Sequence, residues 1–130
     1  MSVQSIMAIG PVIPVVIIDN VNDAVPLVDA LAEGGIGTIE ITLRSPAALD
    51  AIELISKERP DMTIGAGTVL NPHQMREVHG AGADFVVSPG VYPELLQSAR
   101  DCGVVFLPGA ATASEMMLLL ADGLTAMKFF

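Results

Sequence analysis

The chain has 130 residues, enough for one domain, and 52% of them are apolar, which allows a sizeable core. A formal net charge of −9 and only six Lys and Arg residues argue against nucleic-acid binding, which needs clustered cations. No apolar run approaches the ~18–20 residues that span a bilayer, and residues 1–10 lack the basic start of a secretory signal. Because Cys102 is the only cysteine, no disulfide forms within the chain, and we expect a cytoplasmic protein with no membrane partner.

Six short apolar runs, partly β-branched, recur along the chain, and a polar turn and a helical pattern separate each run from the next. Runs of this kind are typical of strands that are buried on both faces, as in parallel sheets. The predicted strands are residues 11–18, 36–43, 62–67, 85–88, 104–108 and 124–130.

Helix signals lie between these runs. Ser45 and Asn71 each precede a proline, which predicts an N-cap with proline at the first helical position. Thr112 and Glu115 have the spacing of a capping box. Strand–helix alternation without hairpin signals predicts parallel strands and right-handed crossovers, in either an open doubly wound sheet or an incomplete (β/α)8 barrel. No GxGxxG follows the first strand, which disfavours a dinucleotide-binding fold.

The end of the second predicted strand carries charged residues in an apolar setting. Alternation places Glu40, Thr42 and Arg44 on one face of the strand and apolar residues on the other. In a barrel the polar face points inward, where a carboxylate and a guanidinium are costly unless each is paired. Function gathers at the carboxyl ends of such strands, so the pattern indicates a site. A purely structural ion pair of glutamate with arginine or with lysine is the alternative.

The next strand ends supply weaker candidates. Thr68 follows a glycine-rich strand end and offers a hydroxyl at the rim, although an ordinary tight turn into the next helix explains the same residues. Pro89, between Ser88 and Gly90, is expected to shape the mouth of the site, with Ser88 as a polar contact. His73 and His79 are six residues apart and do not share a helix face, so we expect no bound metal.

The two lysines of the chain differ sharply in their surroundings. Lys57 lies in the polar tail of a predicted helix, whereas Lys128 is flanked by apolar and aromatic residues on the sixth strand. An ammonium group in an apolar site loses hydration, which favours the neutral amine that attacks carbonyls. A lysine that reaches water, or that protects an exposed strand edge, is the alternative.

Taken in order, these segments resemble the bacterial 2-keto-3-deoxy-6-phosphogluconate (KDPG) and 4-hydroxy-2-oxoglutarate (KHG) aldolase family. The resemblance rests on residues 11–16, 39–44, 64–71, 88–90, 108–109 and 128–130. It implies an α/β fold, an incomplete (β/α)8 (TIM) barrel of about six βα-units. Residues 1–130 would form this single domain, with a short N-terminal helix near residues 2–9, and the family usually assembles as a homotrimer.

The resemblance also implies a class I aldolase that cleaves a small 2-keto acid to pyruvate and an aldehyde, with no metal or cofactor. Lys128 would form the Schiff base, and Glu40 would act as general acid and base. Arg44 and Thr68 would bind the pyruvate carboxylate and nearby oxygens, and Pro89 and Phe130 would also contact the substrate.

Family chains continue beyond the sixth strand, into glycine-rich turns that hold the substrate's phosphate or distal carboxylate. We therefore expect this chain, as about three quarters of a barrel, to be inactive or weakly active. Its unpaired strand edges should promote association. Two other functions remain open. One is a phosphosugar isomerase or epimerase that uses Glu40 as a proton-transfer base, and the other is a non-catalytic, self-associating protein.

Overall fold

The computed structural model describes residues 1–130, which form one six-stranded parallel sheet. Every strand pairs with its neighbour in sequence, in the order β1-β2-β3-β4-β5-β6. The bounds are β1 Val15–Val16, β2 Thr38–Thr42, β3 Thr63–Gly67, β4 Phe85–Ser88, β5 Val105–Ala110 and β6 Lys128–Phe129. Sequential order without a reversal is the order of a barrel wall, so the doubly wound alternative is excluded and the incomplete barrel is confirmed.

Six α-helices accompany the strands. They are α1 Val3–Met7, α2 Ala24–Glu33, α3 Ala48–Glu58, α4 Pro72–Gly80, α5 Pro93–Cys102 and α6 Ala113–Ala121, and a short 3-10 helix, Val21–Asp23, precedes α2. α1 is the predicted N-terminal helix, and α2 to α6 connect successive strands. No helix combines the length and apolar character needed to cross a membrane.

Two of the three predicted helix starts are confirmed. The Asn71 side chain caps α4, and Thr112 and Glu115 form the expected capping box at α6. The prediction at Ser45 was wrong, because α3 begins further along the chain and has no side-chain cap. The Ser45 hydroxyl instead donates to the carbonyl oxygen of Ile18, which ties the loop after β2 to the loop after β1.

The two edge strands are much shorter than the sequence predicts. Residues 11–18 and 124–130 were expected to be strands, but only Val15–Val16 and Lys128–Phe129 pair with a neighbour. An edge strand bonds on one side only, and Pro11 and Pro14 lack the N–H needed for a continuous ladder. The four inner strands lie within two residues of their predicted bounds.

The sheet separates two apolar regions. Ile39 and Ile41 point from β2 toward the helices and belong to the main core of 23 buried residues. A smaller cluster of Ile6, Phe85 and Val87 fills the opposite, concave face, so α1 closes the lower end of the half-barrel. This apolar plug leaves the carboxyl ends of the strands as the place where polar side chains gather.

Candidate active site

A cavity of about 340 Å³ lies at the carboxyl ends of the strands. It is lined by ten residues, which are Val15, Glu40, Thr42, Arg44, Thr68, Val87, Ser88, Pro89, Lys128 and Phe130. All six residues that the sequence suggested for catalysis or binding are among them. A second cavity of the same volume lies near α1, but no ionisable side chain lines it.

Lys128 and Glu40 face each other across this cavity. The Lys128 Nζ atom lies 3.4 Å from both carboxylate oxygens of Glu40, although the two residues are 88 positions apart in sequence. The Glu40 side chain is 6% exposed and the Lys128 side chain 29% exposed. The Lys128 side chain is thus more exposed to solvent than its apolar sequence neighbours predict, and Glu40 balances its charge. The aromatic ring of Phe130, whose centroid is 5.4 Å from Nζ, covers another side of the ammonium.

Gly67 makes room for the Glu40 carboxylate. A Cβ atom at Gly67 would lie 2.1 Å from Oε1 of Glu40, far inside contact distance. Gly67 pairs with Thr42 in the adjacent strand, so the backbone of β3 runs directly beside the carboxylate. The sequence indicated only that glycines at this strand end allow a close approach; in the structure, Glu40 is the group that approaches Gly67.

Arg44 is held by a hydroxyl and by no acid. Its Nε atom donates to Oγ1 of Thr42 over 3.1 Å, and the Thr42 hydroxyl in turn donates to the carbonyl oxygen of Val16, also over 3.1 Å. Arg59 and Arg100, by contrast, form salt bridges with aspartates on the surface. Of the two ion pairs considered from the sequence, Glu40 forms the one with Lys128 and not the one with Arg44. Arg44 therefore brings an uncompensated guanidinium to the cavity.

Thr68 is the single non-glycine residue in the left-handed region, with φ of 60°. This conformation costs about 1–3 kcal/mol, and such strain is found mainly at functional sites. The following backbone is anchored on both sides, because the Val69 N–H donates to the Val87 carbonyl and the Tyr92 hydroxyl donates to the Leu70 carbonyl. An ordinary turn would place glycine or asparagine here.

The turn that carries Pro89 is fixed by contacts on two sides. The Ser88 hydroxyl donates to the Gly90 carbonyl over 2.7 Å, which closes the turn around Pro89. A Cβ atom at Gly109 would lie 2.4 Å from the Pro89 carbonyl oxygen, so the neighbouring strand must carry glycine there. Because the Ser88 hydroxyl donates its one proton within the turn, it can only accept a hydrogen bond from a ligand.

Comparison with known proteins points to one family. The family model described as KDPG and KHG aldolase matches residues 3–130. The chain is 46% identical over 129 residues to the KHG/KDPG aldolase of Escherichia coli strain K12, an alignment that covers 99% of this chain and 61% of the relative.

Solved structures agree with the sequence match. The KDPG aldolase of Legionella pneumophila, with pyruvate captured at low pH as a covalent carbinolamine intermediate, superposes with a TM-score of 0.94 at 45% identity, covering 97% of this chain and 61% of that one. The 2-keto-3-deoxy-6-phosphogluconate aldolase of Zymomonas mobilis ZM4 with 3-phosphoglycerate superposes with a TM-score of 0.92 at 44% identity, and the match covers 98% of this chain and 60% of that one. The chain therefore spans about three fifths of the length of these relatives.

Proposed function

Since this chain belongs to the KDPG and KHG aldolase family, we propose that it carries the Schiff-base centre of a class I aldolase. The substrate is a 2-keto acid of the KDPG or KHG type, and the products are pyruvate and an aldehyde. The observation that carries the proposal is the position of the Lys128 amine, 3.4 Å from both oxygens of a buried carboxylate and beside an unpaired guanidinium.

The first step forms the imine. Proton transfer from the Lys128 ammonium to Glu40, directly or through water, leaves a neutral amine that attacks the C2 ketone of the substrate. The resulting carbinolamine loses its hydroxyl as water when Glu40 returns a proton to it. The product is an iminium linking Lys128 to C2, which withdraws electrons from the neighbouring bonds.

The second step breaks the bond between C3 and C4. Glu40, again carrying no proton, removes the proton of the C4 hydroxyl, and the electrons of the C3–C4 bond move into the iminium. This gives an enamine on Lys128 and a free aldehyde. Return of the proton to C3 and hydrolysis of the imine then release pyruvate and regenerate the amine.

Four residues are proposed to hold the 2-keto acid in register. Arg44 binds its carboxylate through two parallel hydrogen bonds, and Thr68 donates to a nearby oxygen. Pro89 and Phe130 form the walls against which the ketone end packs. Fixed geometry of this kind replaces a bimolecular encounter between ketone and amine by an effectively intramolecular one.

Cleavage by this chain alone is proposed to be weak or absent. The two cations that line the cavity are Arg44 and Lys128, and Lys128 is engaged by Glu40. Arg44 serves one carboxylate, which leaves no cation for a distal phosphate or second carboxylate. Imine formation with pyruvate itself needs neither, so pyruvate is the appropriate probe.

Reductive trapping tests the proposal. Incubation with pyruvate and borohydride is expected to attach one pyruvate-derived group to the peptide that contains Lys128, and Lys128→Ala should abolish it. Lys57→Ala is the matched control, because Lys57 is exposed and paired with Glu53 far from the cavity. A folded chain that gives no adduct on Lys128 would contradict the aldolase and favour the isomerase-type chemistry, in which Glu40 acts without a covalent lysine.

We further propose that the chain self-associates through its open edges, in keeping with the homotrimer that the family resemblance implies. β6 carries Phe129, which is 78% exposed, and Phe130, the residue after β6, is also exposed, while Val15 on β1 is exposed at the other edge. Apolar edges of this kind pair readily with other strands. Light scattering during size-exclusion chromatography is expected to detect oligomers, and a monomer at all concentrations would refute the association.

A further inference from the structure

We propose that Thr42 is a positioning residue that orients the guanidinium of Arg44 for one specific mode of carboxylate binding. The inference rests on the proposed function, since it assigns a role within that binding site. It goes beyond that function because Thr42, which lines the cavity, is assigned an action through Arg44 rather than through the substrate.

The direction of the hydrogen bonds at Thr42 is fixed by its surroundings. A hydroxyl has one proton, and that of Thr42 is donated to the carbonyl oxygen of Val16 over 3.1 Å. The oxygen can therefore only accept from the third partner, the Nε–H of Arg44, which lies at 3.1 Å. Thr42 is 1% exposed and β-branched, so its side chain has little freedom to leave this arrangement.

This chain of hydrogen bonds defines which edge of Arg44 is free. A carboxylate can bind a guanidinium either through Nε and one terminal nitrogen or through both terminal nitrogens. Because Nε is already engaged by Thr42, the two Nη atoms remain for the ligand. Arg44 is otherwise exposed and has no acidic partner, so without the hydroxyl it would sample several rotamers. A guanidinium fixed in advance loses less entropy when the carboxylate binds.

The same strand provides a matched control. Thr38, at the opposite end of β2, is also 1% exposed, but its hydroxyl has no hydrogen-bond partner and it does not line the cavity. Thr38→Val and Thr42→Val remove the same atom from the same strand. Only the second substitution breaks the connection between Val16 and Arg44.

The first experiment measures how borohydride trapping on Lys128 depends on pyruvate concentration. Thr42→Val is expected to raise the half-saturating concentration about 10- to 100-fold, the scale of one hydrogen bond to a charged group, while the maximal adduct is unchanged. Thr42→Ser should restore most of the affinity, and Thr38→Val should not alter it. Pyruvamide, which has the same ketone but no carboxylate, should be trapped equally by the original chain and by Thr42→Val.

The second experiment observes Arg44 without any ligand. The Nε–H signal of Arg44, assigned by its loss in Arg44→Lys, is expected to exchange slowly with water in a proton–nitrogen NMR spectrum. Thr42→Val should accelerate this exchange, and Thr42→Ser and Thr38→Val should not. This result is independent of imine chemistry, so it decides the role of Thr42 even if no adduct forms on Lys128 and the aldolase proposal fails.

Either of two results would overturn the inference. One is an Arg44 Nε–H whose exchange is the same with and without the Thr42 hydroxyl. The other is equal weakening of pyruvate and pyruvamide trapping in Thr42→Val. A general disturbance of β2 would weaken the trapping of both ketones, whereas a loss of Arg44 positioning would weaken only that of pyruvate.

Discussion

The strands β2 and β6 supply the carboxylate and the amine of the site, but the fold supports them very differently. β2 is buried along all five residues and pairs with strands on both sides. β6 has two residues, pairs only with β5 and leaves Phe129 exposed to solvent. The sheet itself therefore fixes Glu40, whereas Lys128 depends more on what its side chain contacts, namely Glu40 and the Phe130 ring.

The largest effect is expected from a substitution that displaces the Glu40 carboxylate on β2 and leaves the residues of β6 unchanged. Gly67→Ala would place a Cβ atom 2.1 Å from Oε1 of Glu40 and 2.9 Å from its Cδ and Cγ, so the Glu40 side chain must leave its present position. Proton exchange at the methyl of pyruvate, which requires enamine formation, should slow about 10²-fold, as for the loss of a general acid–base group. Nuclear magnetic resonance in deuterated water measures this rate.

Two further variants show whether a slower exchange in Gly67→Ala is caused by displacement of Glu40. Glu40→Gln should slow exchange to a similar extent while still allowing the Lys128 adduct to be trapped. Gly80→Ala is the control, because a Cβ atom at this helical glycine meets nothing within 4 Å. Unchanged exchange in Gly67→Ala would show that Glu40 is not the group that moves the proton.

Core substitutions compare the stability of the two strands directly. Ile39→Ala removes a fully buried side chain of β2 and should lower the free energy of unfolding by about 2–5 kcal/mol. Phe129→Ala removes a larger but exposed side chain of β6 and should change it by less than about 0.5 kcal/mol. Urea titrations measure both values. Similar losses in the two variants would mean that the edge strand is packed as firmly as the centre.

The positions of the inner strands could be predicted from sequence because buried parallel strands are continuous apolar runs, and the inner ones match closely. Their order in the sheet was left open by these runs and was implied only by the family resemblance. The ends of the edge strands could not, since residues 11–14 and 124–127 are equally apolar but lack a second strand to pair with. It could likewise be predicted that Glu40, Arg44 and Lys128 lie at one rim of the barrel, because the carboxyl ends of the strands converge there.

Other features of the site depend on contacts between strands, which no local pattern encodes. The space that Gly67 leaves for Glu40 follows from the register of β2 and β3. The connection through Thr42 needs the Val16 carbonyl from a different strand. The left-handed conformation of Thr68 contradicts its own residue preference and is maintained by neighbouring loops.

The strained rim next to β3 offers a smaller test, in which stability and binding should move in opposite directions. Thr68→Gly relieves the left-handed strain and should raise the free energy of unfolding by about 1 kcal/mol. It also removes the hydroxyl proposed to bind the keto acid, so more pyruvate should be needed for trapping. Thr125→Gly, at an ordinary backbone conformation, should destabilise the chain slightly. A destabilised Thr68→Gly would show that the conformation carries no strain.

The smallest effect concerns the capping box of α6, the helix that leads to β6. Backbone N–H groups of Ala111 and Thr112 donate to the Glu115 carboxylate and, with the Thr112 side chain, lower its pKa. The ionised form therefore stabilises the folded chain above the unfolded pKa, and this contribution disappears as pH falls through the folded pKa. Urea midpoints should be higher for the original chain than for Glu115→Gln at neutral pH, and the difference should disappear as the pH falls through the folded pKa of Glu115. A constant difference would exclude this linkage.

Schiff-base formation by Lys128 is tested most directly by detecting the bond between its nitrogen and the ketone carbon of the substrate. In Lys57→Arg, Lys128 is the only lysine, so ¹⁵N-lysine labelling marks one side-chain amine. Addition of pyruvate labelled with ¹³C at the ketone carbon should give a directly coupled carbon–nitrogen signal from the imine or carbinolamine. If the folded chain at saturating pyruvate shows only free ketone and hydrate, Lys128 does not form the Schiff base and the account is contradicted.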